Sequence, residues 1–543
     1  MTVLHWIPAF AGMTRFHAPT AAMVAHRTFP YNQAVLARLH SVAFQGIEAV
    51  LCDVEADIAR SGFAAAVLVG LPDASVRESI ERVRTAITNS GYEFPRHRTV
   101  INLAPADIRK EGPAFDLPIA LGVILASGQV VDAWSSKFVV IGELALDGRV
   151  RTARGVLSAA MLARDRGFKG VLVPWENARE AAVVDGLEVI PIGSLTEAVG
   201  FLTGQLVVEP THVEVSELFA QARSYDVDFG DVRGQETAKR ALVVAAAGRH
   251  NVLMIGPPGS GKTMLAKRLP TILPPLTLEE SLETTRIHSV SGELLPGMAL
   301  LARRPVRTPH HSASTPALVG GGSIPQAGEV SLAHYGVLFL DEFPEFTRSS
   351  LEALRQPLED ARVTIARAQG TVSFPASFTL VAAMNPCPCG YYTDPRKSCK
   401  CTPLQIDKYL SRISGPLLDR IDIHIEVPGV PFSMLRSQQD GTPSSAMRGE
   451  VLAARQKQFR RFPDSPVMTN GRMSGKMLRE FCKLDDTGEM VLRQAMTELG
   501  LSARAHDKVL RVARTIADLA DQDRVDAEHV SEAIHYRRLD RQL

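Results

Sequence analysis

Several features that define specialised classes of protein are scarce or missing in this sequence. Only six of its 543 residues are cysteine, too few for a disulfide framework in a chain of this length. No apolar run reaches the roughly 18 residues of a membrane-spanning helix, so we expect no membrane partner. Lysine and arginine number 60 against 59 acidic residues, a net charge of +1. This balance excludes a uniformly basic nucleic-acid coat but allows a local basic patch. The expected compartment is the cytoplasm.

What is present suits a multidomain globular protein. A hydrophobic content of 45% and a charged content of 22% are ordinary for such proteins, and the length suggests about three domains. Residues 1–27 contain no acidic side chain, and we interpret them as a disordered tail or as translation upstream of a true start near Met23. In residues 28–208, short apolar runs alternate with helix-like stretches, which predicts an α/β domain.

The rest of the chain divides into a linker and two further domains. Residues 209–228 are polar and irregular, which is typical of a linker. Residues 229–436 predict a second α/β domain, because uniformly apolar strands suit a parallel sheet covered on both faces. Its buried strand candidates are residues 251–255, 337–340 and 379–384. After a turn-rich connector, residues 437–543 are predicted to form a C-terminal helical domain.

A phosphate-binding motif opens the second α/β domain. Residues 256–263 fit the pattern GxxxxGK[ST] and lie between an apolar strand and a helix, which is the context that this motif requires. The glycines allow backbone N–H groups to converge on phosphate oxygens at a helix N-terminus. The predicted ATP-binding residues are Gly256, Pro257, Pro258, Gly259, Ser260, Gly261, Lys262 and Thr263. Lys262 would contact the β- and γ-phosphates, and Thr263 would be a Mg²⁺ ligand.

Polar side chains follow two further predicted strands. Asp341 and Glu342 come directly after residues 337–340. Asp341 would hold Mg²⁺, and Glu342 would act as the general base for the attacking water. Asn385 ends the next strand and could orient that water. Such residues are also common in ordinary turns, but the phosphate loop upstream favours the catalytic interpretation.

These motifs resemble those of the AAA+ ATPases, in particular the branch that contains magnesium chelatase and the MCM-type replicative helicases. Residues 328–336 (GEVSLAHYG) resemble the stretch that precedes the Walker B strand in that branch. The match is closer still to the bacterial Mg-chelatase-like competence protein M family. Features of that family recur in residues 309–322 (PHHSASTPALVGGG), 385–392 (NPCPCGYY) and 413–427 (ISGPLLDRIDIHIEV). The resemblance covers roughly residues 28–538 and implies a ring, expected to be a homohexamer, with ATP bound between subunits.

The resemblance also implies the fold of each domain. It implies an N-terminal α/β domain like domain 2 of ribosomal protein S5, a central AAA+ P-loop α/β sandwich and a C-terminal helical lid. The N-terminal domain further resembles the Lon protease domain, with residues 110–114 (KEGPA) in place of the Lon segment KDGPS. Its nucleophile position is Ala114 and its lysine position is Leu157, so a Ser–Lys dyad cannot form there. We expect a scaffold or interaction module and no protease.

Two arginines receive roles from the same resemblance. Arg420 matches the arginine finger that reaches the γ-phosphate bound by a neighbouring subunit. The alternative is that Arg420 pairs locally with Asp419 or Asp422. Arg504 best matches the sensor-2 arginine, with Arg511 second, and an ordinary exposed basic helix face is the alternative.

Two arginine-bearing segments are candidate DNA contacts. Residues 286–311 carry four arginines against one glutamate, a local charge of +3, with His310 and His311 adjacent; the chelatase branch carries a pore-directed insert in this region. The second segment, residues 363–374, is predicted to be a β-hairpin with Arg367 and Gln369 at its tip, matching the pore hairpin of that branch. The candidate DNA contacts are Arg303, Arg304, Arg307 and Arg367. They could contact phosphates without reading sequence, and a solvated surface is the alternative.

Four of the six cysteines lie within fifteen residues as CxC-x₉-CxC. They are Cys387, Cys389, Cys399 and Cys401. Four thiolates at this spacing can surround one tetrahedral Zn²⁺, and a reducing cytoplasm disfavours disulfides. Because CxC is tighter than the usual CxxC, free thiols or conditional disulfides are the alternative to structural zinc.

Motifs and resemblance together predict an enzyme, an ATP-hydrolysing AAA+ ring motor with ATP and Mg²⁺ as cofactors. The resemblance implies a helicase that acts on single-stranded or branched DNA, in branch migration during natural transformation, with recombination proteins as further partners. One alternative is a magnesium-chelatase-like ATPase that drives metal insertion. The other is an ATP-switched scaffold or chaperone.

Overall fold

The structure is a computed structural model that describes most of the chain. The described residues are 36–59, 65–222, 225–322, 325–367, 370–392, 394–395, 397–430, 441–463, 465 and 468–537. The predicted tail at residues 1–27 and the predicted hairpin-tip residue Gln369 lie outside them. Within the described residues, no helix has the length and apolar character needed to cross a bilayer.

The N-terminal domain is built on a mixed sheet of seven strands. Its strands, with one separate two-stranded pair, are β1 (Ala37–Gln45), β2 (Glu48–Ile58), β3 (Ala66–Val69), β4 (Thr99–Ala104), β5 (Phe138–Val140), β6 (Glu143–Leu144), β7 (Val150–Arg151), β8 (Gly170–Pro174) and β9 (Glu188–Ile192). Its helices are α1 (Ala74–Asn89), α2 (Asp116–Ala126), α3 (Val156–Asp165), α4 (Ala178–Ala181) and α5 (Leu195–Leu202). The sheet order is β3-β4-β2-β1-β5-β8-β9, and β6 pairs with β7. Every residue of α2 is buried, so this helix forms the centre of the domain core.

The predicted linker is partly helical. Helix α6 (Val215–Gln221) occupies its middle. Val215, Leu218 and Phe219 lie three and four residues apart and pack against a hydrophobic cluster of the N-terminal domain. This apolar stripe explains why the segment folds although its composition is polar.

The second domain contains a parallel sheet of five strands. Its strands, with two separate two-stranded pairs, are β10 (Val252–Ile255), β11 (Val306–Arg307), β12 (Gly320–Gly321), β13 (Gln326–Ala327), β14 (Val337–Leu340), β15 (Arg362–Arg367), β16 (Gly370–Pro375), β17 (Thr379–Met384) and β18 (Ile423–Glu426). Its helices are α7 (Glu236–Gly248), α8 (Lys262–Arg268), α9 (Leu278–Ser291), α10 (Thr315–Val319), α11 (Glu329–Leu332), α12 (Arg348–Ala353), α13 (Arg355–Asp360), α14 (Pro403–Leu410) and α15 (Gly415–Leu418). The sheet order is β11-β14-β17-β10-β18, and β15 pairs antiparallel with β16 as the predicted hairpin.

The sheet order brings three strand ends together. Strand β17 lies between β10 and β14, and all three run parallel. The loops that follow β10, β14 and β17 therefore meet at one edge. Residues alternate between two cores: Val252 and Met254 of β10 face one hydrophobic cluster, and Leu253 and Ile255 face the other. Covered on both faces, the central strands β10, β14 and β17 are almost entirely apolar, as predicted, whereas the edge strands β11 and β18 also carry Arg307, His424 and Glu426.

The C-terminal domain is helical and shares a core with this sheet. Its helices are α16 (Ser444–Arg461), α17 (Gly475–Phe481), α18 (Asp486–Leu499), α19 (Ala503–Leu519) and α20 (Ala527–His535). Val509 and Val512 of α19 belong to the same hydrophobic cluster as Val244 of α7. Short 3₁₀ turns lie at Pro113–Phe115, Ser135–Lys137, Trp175–Asn177, Phe229–Asp231, Leu269–Thr271, Phe343–Glu345 and Asn470–Arg472. The predicted fold class, an α/β protein with a helical C-terminus, is confirmed.

Candidate nucleotide-binding site

The glycine-rich loop after β10 has a backbone that only glycine fits well. Gly259 and Gly261 have φ angles of +75° and +96°, in the left-handed region that glycine adopts without steric cost. A Cβ atom added at Gly256 would lie 2.1 Å from the carbonyl oxygen of Val427. Helix α8 begins directly after the loop at Lys262. The loop therefore aims a helix N-terminus, which attracts anions, at the strand-end pocket.

Lys262 connects this loop to the end of β17. Its side chain is largely buried, and Nζ donates to the carbonyl oxygens of Gly256 at 2.7 Å and Pro257 at 3.0 Å, and to Oδ1 of Asn385 at 3.2 Å. Burial lowers the pKa of Lys262, and the carboxylate of Asp341 opposes that shift. The predicted phosphate ligand and the predicted water-orienting residue are thus in direct contact.

The two acids after β14 face the same loop. Thr263 donates from Oγ1 to Oδ2 of Asp341 at 2.7 Å. The backbone N–H of Glu342 donates to Oδ1 of Asp341 at 2.9 Å. Glu342 has a φ of +52°, a left-handed conformation that is uncommon for a residue with a side chain. A hydroxyl and a carboxylate side by side are hard oxygen donors of the kind that Mg²⁺ prefers.

These residues line one cleft of about 660 Å³, within the usual size range of ligand sites. Its lining consists of residues 258–264 and 308–311 together with Asp341, Glu342, Met384 and Asn385. The structure therefore brings together the phosphate loop, the acid pair and the strand-end amide that the sequence places up to 129 residues apart along the chain.

His310 and His311 also line this cleft, although sequence reasoning placed them beside a DNA-binding insert. Nδ1 of His311 lies 3.0 Å from Oε2 of Glu342, and the two imidazole rings stack with their centroids 4.1 Å apart. The available signal was the motif at residues 309–322, which carried the family resemblance. His311 is thus a residue of the nucleotide site that sequence reasoning missed.

The two arginines assigned by resemblance lie together, and neither lines the described cleft. Arg420 is largely buried, and its Nη2 lies 2.5 Å from Oε1 of Glu359. Arg504 is exposed, and its Nη2 lies 4.0 Å from the same oxygen. Arg420 forms its ion pair with Glu359 and not with Asp419 or Asp422, the partners considered as its alternative.

The basic face of helix α19 is not an ordinary exposed face. Lys508 is largely buried, and its Nζ lies 2.5 Å from Oδ1 of Asp422. Burial raises the pKa of Asp422, but the charges of Lys508 and His250 more than offset this effect, so the pKa is lowered well below its usual value. Arg511 donates from Nε to the carbonyl oxygen of Met473 at 3.0 Å. Of the three basic residues, only Arg504 is exposed.

The basic patch predicted around residues 286–311 is largely used inside the chain. Arg304 is 8% exposed and donates to Oε2 of Glu280 at 2.8 Å and to the carbonyl oxygen of Tyr335 at 2.6 Å. Arg307 makes two hydrogen bonds with Glu329, at 2.6 and 2.8 Å. The interpretation of Arg304 as a DNA contact is therefore corrected, and Arg307 has its charge balanced by an acid that lies outside the segment counted from the sequence.

Two of the candidate DNA arginines remain exposed. Arg303 lies with Cζ 5.3 Å from the ring centre of Tyr225. Arg367 is near the tip of the β15–β16 hairpin and donates from Nε to the carbonyl oxygen of Gly322 at 3.3 Å. Arg286 instead joins domains, because its Nη2 lies 2.8 Å from Oε2 of Glu48 in the N-terminal domain.

The four cysteines cluster in space as well as in sequence. Their sulfur atoms all lie within 4.8 Å of one another, a group that could hold a metal ion. Sγ of Cys387 lies 3.4 Å from that of Cys389 and 3.7 Å from that of Cys399. Backbone N–H groups of Lys400 and Tyr391 lower the pKa of Cys389 to about 6, whereas the neighbouring thiols raise the pKa values of Cys399 and Cys401.

The two positions that correspond to the Lon nucleophile and lysine are occupied by side chains that pack within the N-terminal domain. Leu157 is fully buried within a hydrophobic cluster, and its backbone N–H donates to Oε1 of Glu180 at 2.9 Å. Ala114 is partly buried, and its carbonyl oxygen accepts from the N–H of Gly142 at 3.0 Å.

Comparisons with known proteins find similarity along most of the chain. Family models match at residues 228–435 (Magnesium chelatase, subunit ChlI), 54–177 (Subunit ChlI of Mg-chelatase) and 441–537 (Magnesium chelatase, subunit ChlI C-terminal). The chain is 44% identical over 514 residues to Competence protein ComM of Haemophilus influenzae, covering 94% of this chain and 98% of that protein. It is 43% identical to the uncharacterized protein YifB of Escherichia coli, with the same coverage. It is also 27% identical over 143 residues to Lon protease 2 of Bacillus subtilis, covering 26% of this chain and 25% of that protein.

Proposed function

This chain belongs to the ComM family of Mg-chelatase-like AAA+ proteins, and on this premise we propose that it is an ATP-hydrolysing ring motor that acts on DNA. It works as a helicase in branch migration, on single-stranded or branched DNA, in the cytoplasm. Because a relative that is 44% identical is named a competence protein, the recombination that follows DNA uptake is the proposed setting. Recombination proteins are its expected partners.

The convergence of five side chains on one cleft supports ATP hydrolysis. Lys262 neutralises phosphate oxygens, and Asn385, 3.2 Å from its Nζ, orients the attacking water. Glu342 accepts the proton of that water as general base. The family implies ATP and Mg²⁺ as cofactors, and the paired oxygens of Thr263 and Asp341 fit the metal. Bound Mg²⁺ neutralises charge that develops on the transferred phosphoryl group.

In a ring, a neighbouring subunit can supply the arginine that is absent from the described lining of one subunit's cleft. Arg420 and Arg504 meet at Glu359 and do not contribute to the described lining of the cleft. An arginine that stabilises the transition state can come from a neighbouring subunit, and head-to-tail contacts of this kind close into rings. We therefore propose a homohexamer in which Arg420 of one subunit completes the site of the next.

Contact with DNA is assigned to the exposed arginines. Arg303 and Arg367 remain in contact with solvent, and a ring repeats each of them around its pore. Such contacts bind phosphates without reading sequence. A chain with a net charge of +1 can therefore form a positive channel once it assembles, so DNA binding depends on assembly.

Zinc is the metal proposed for the four-cysteine cluster. Four thiolates around one point match a structural zinc site, and the sulfur atoms are already grouped within 4.8 Å. Metal analysis of the purified protein is expected to give one zinc per chain. A value near zero would leave free thiols or conditional disulfides as the remaining interpretations.

The decisive experiment measures ATP hydrolysis with and without a four-way DNA junction. We expect stimulation by the junction in the wild-type protein. Lys262→Ala should abolish nucleotide binding, whereas Glu342→Gln should retain ATP and block turnover, trapping ATP-bound rings. Unchanged hydrolysis, with DNA binding undetectable at low salt, would exclude the motor function.

A metal-insertion ATPase is the second candidate, because all three matching family models describe magnesium chelatase. That function predicts hydrolysis that is indifferent to DNA and stimulated by the other components of a metal-inserting enzyme. The junction experiment therefore separates the two candidates.

A further inference from the structure

The segment that follows strand β17 contributes residues to both the nucleotide cleft and the four-cysteine cluster. Asn385 ends strand β17 and lines the cleft. Cys387, the fully buried member of the cluster, follows two residues later. Lys262 reaches across to Oδ1 of Asn385 at 3.2 Å. Only one residue separates Asn385 from Cys387. A displacement of the first metal-binding thiol therefore also displaces the amide that lines the nucleotide cleft.

Gly390, inside the cluster segment, packs directly on the phosphate loop. A Cβ atom added there would lie 2.6 Å from Cδ and 2.7 Å from Cγ of Pro258, and 3.8 Å from Cγ of Asn385. Its φ of +83° is in the left-handed region. The backbone that joins Cys389 to the rest of the cluster thus forms part of the support behind the phosphate loop.

The other end of the cluster is anchored next to the same site. Helix α14 begins at Pro403, two residues after Cys401, and Thr402 and Gln405 form its capping box. Tyr409 of this helix is largely buried. Burial raises the pKa of Tyr409 to about 12, and a hydrogen bond from the backbone of Asn385 opposes the shift. The helix that follows Cys401 is therefore linked through Tyr409 to Asn385, the residue two positions before the first thiol.

We infer that a metal ion held by the four cysteines is a clamp on the nucleotide site, so that metal occupancy sets the affinity for ATP. Binding the ion fixes the distance between residue 387 and residue 401, and with it the wall formed by Asn385 and Gly390. Losing the ion releases this wall from Pro258. The inference rests on the proposed ATPase function and on zinc as the ion that the four cysteines bind.

Three substitutions separate the effect of metal binding from the effect of the Gly390 contact on ATP affinity. Cys401→Ser removes one ligand and should lower zinc content and ATP affinity together. Gly390→Ala keeps all four thiols but places a methyl group against Pro258, so ATP affinity should fall while zinc stays near one equivalent. Lys400→Ala is the matched control, because this exposed residue lies between two of the cysteines and leaves every ligand in place.

The test uses the full-length protein and a fluorescent ATP analogue, without DNA. Zinc is removed with phenanthroline, the chelator is removed by desalting, and the dissociation constant of the analogue is measured with Mg²⁺ present. We expect an increase of about tenfold, which corresponds to about 1.4 kcal/mol of binding free energy, and a return to the original value when Zn²⁺ is added back. The add-back also shows that the stripped protein has stayed folded.

Unchanged affinity after zinc removal overturns the inference, and so does a wild-type protein that takes up no zinc. Loss of ATP affinity in Cys401→Ser that is absent from Lys400→Ala supports it. Failure of DNA to stimulate hydrolysis counts against the motor proposal alone, since the affinity for the analogue is measured in the absence of DNA.

Discussion

Nδ1 of His311 lies 3.0 Å from Oε2 of Glu342, in the cleft that also holds the phosphate loop. Glu342 is more than half exposed and follows its strand in a left-handed conformation. The imidazole is thus the side chain that restrains the carboxylate proposed as the general base. His311 is on this ground a positioning residue for hydrolysis.

Replacing His311 by alanine should lower kcat for ATP hydrolysis by about tenfold, part of the 10²–10⁴ that a positioned base contributes, with KM for ATP unchanged. The reason is that the carboxylate loses its restraint while the phosphate contacts remain. Steady-state kinetics over a range of ATP concentrations measures both constants.

His310→Ala is the matched control for this prediction. The neighbouring ring stacks on His311, but its own hydrogen bond is with Ser312, at 2.8 Å. His310→Ala should therefore lower kcat less than His311→Ala does. A raised KM with normal kcat in His311→Ala would show instead that the ring binds nucleotide.

Mixing two inactive variants should restore activity if Arg420 acts on a neighbouring subunit. Arg420→Ala alone should lower kcat by about 10³-fold or more, and Lys262→Ala should not hydrolyse ATP. In mixed rings, a subunit with an intact phosphate loop can meet a neighbour with an intact Arg420, so we expect up to about a quarter of wild-type activity at equal ratio.

The mixing experiment also controls for damage to the fold, because Arg420 is paired with Glu359 inside its own chain. If Arg420→Ala were inactive only because it is unstable, mixing it with Lys262→Ala would restore no activity. No gain above the sum of the separate variants would contradict a role for Arg420 between subunits.

The sequence alone predicted the groups whose chemistry is local. The phosphate loop was predictable because its glycines are required by the backbone at Gly256, Gly259 and Gly261. The acid pair and Asn385 were predictable because they follow strands that are almost entirely apolar. In each case the pattern and its flanking element lie within about a dozen residues.

Contacts between distant segments were not predictable in the same way. His311 meets Glu342 because β11 and β14 are neighbours in the sheet, with Arg307 in register with Leu338, and the sequence does not state which strands are adjacent. Arg304 is buried against Glu280, an acid outside the segment whose charge was counted. Local charge therefore overestimated the basic surface.

Arg367→Ala should weaken DNA binding similarly for all sequences and reduce the slope of log K against log salt by about 1, as expected for one lost phosphate contact. Fluorescence anisotropy with labelled DNA at several salt concentrations measures the slope. Arg493→Ala is the control, because this arginine is exposed on helix α18 and pairs with Glu489. An unchanged slope in Arg367→Ala would place the hairpin tip away from DNA.

Lys508→Ala should destabilise the C-terminal domain, because it removes the nearest cationic partner of the buried Asp422 and leaves His250, 3.8 Å away, and the backbone N–H of Asn251. Nζ of Lys508 lies 2.5 Å from Oδ1 of Asp422, and both side chains are largely buried. Breaking such a pair from one side costs about 3–5 kcal/mol. Urea unfolding monitored by circular dichroism measures the loss. Arg504→Ala, an exposed change on the same helix, should stay within about 0.5 kcal/mol of wild type.

The pair also predicts how the stability depends on pH. Because the pKa of Asp422 is lowered in the folded chain, the unfolded chain holds its proton more tightly. The stabilisation is then fully present above the unfolded value of about 3.9 and is lost as the pH falls towards the folded value. Wild-type protein should therefore lose more stability than Asp422→Asn as the pH falls from about 5 to about 2, and the two curves should run parallel between neutral pH and about pH 5. Curves that stay parallel over the whole range would mean that Asp422 is not ionised in the fold.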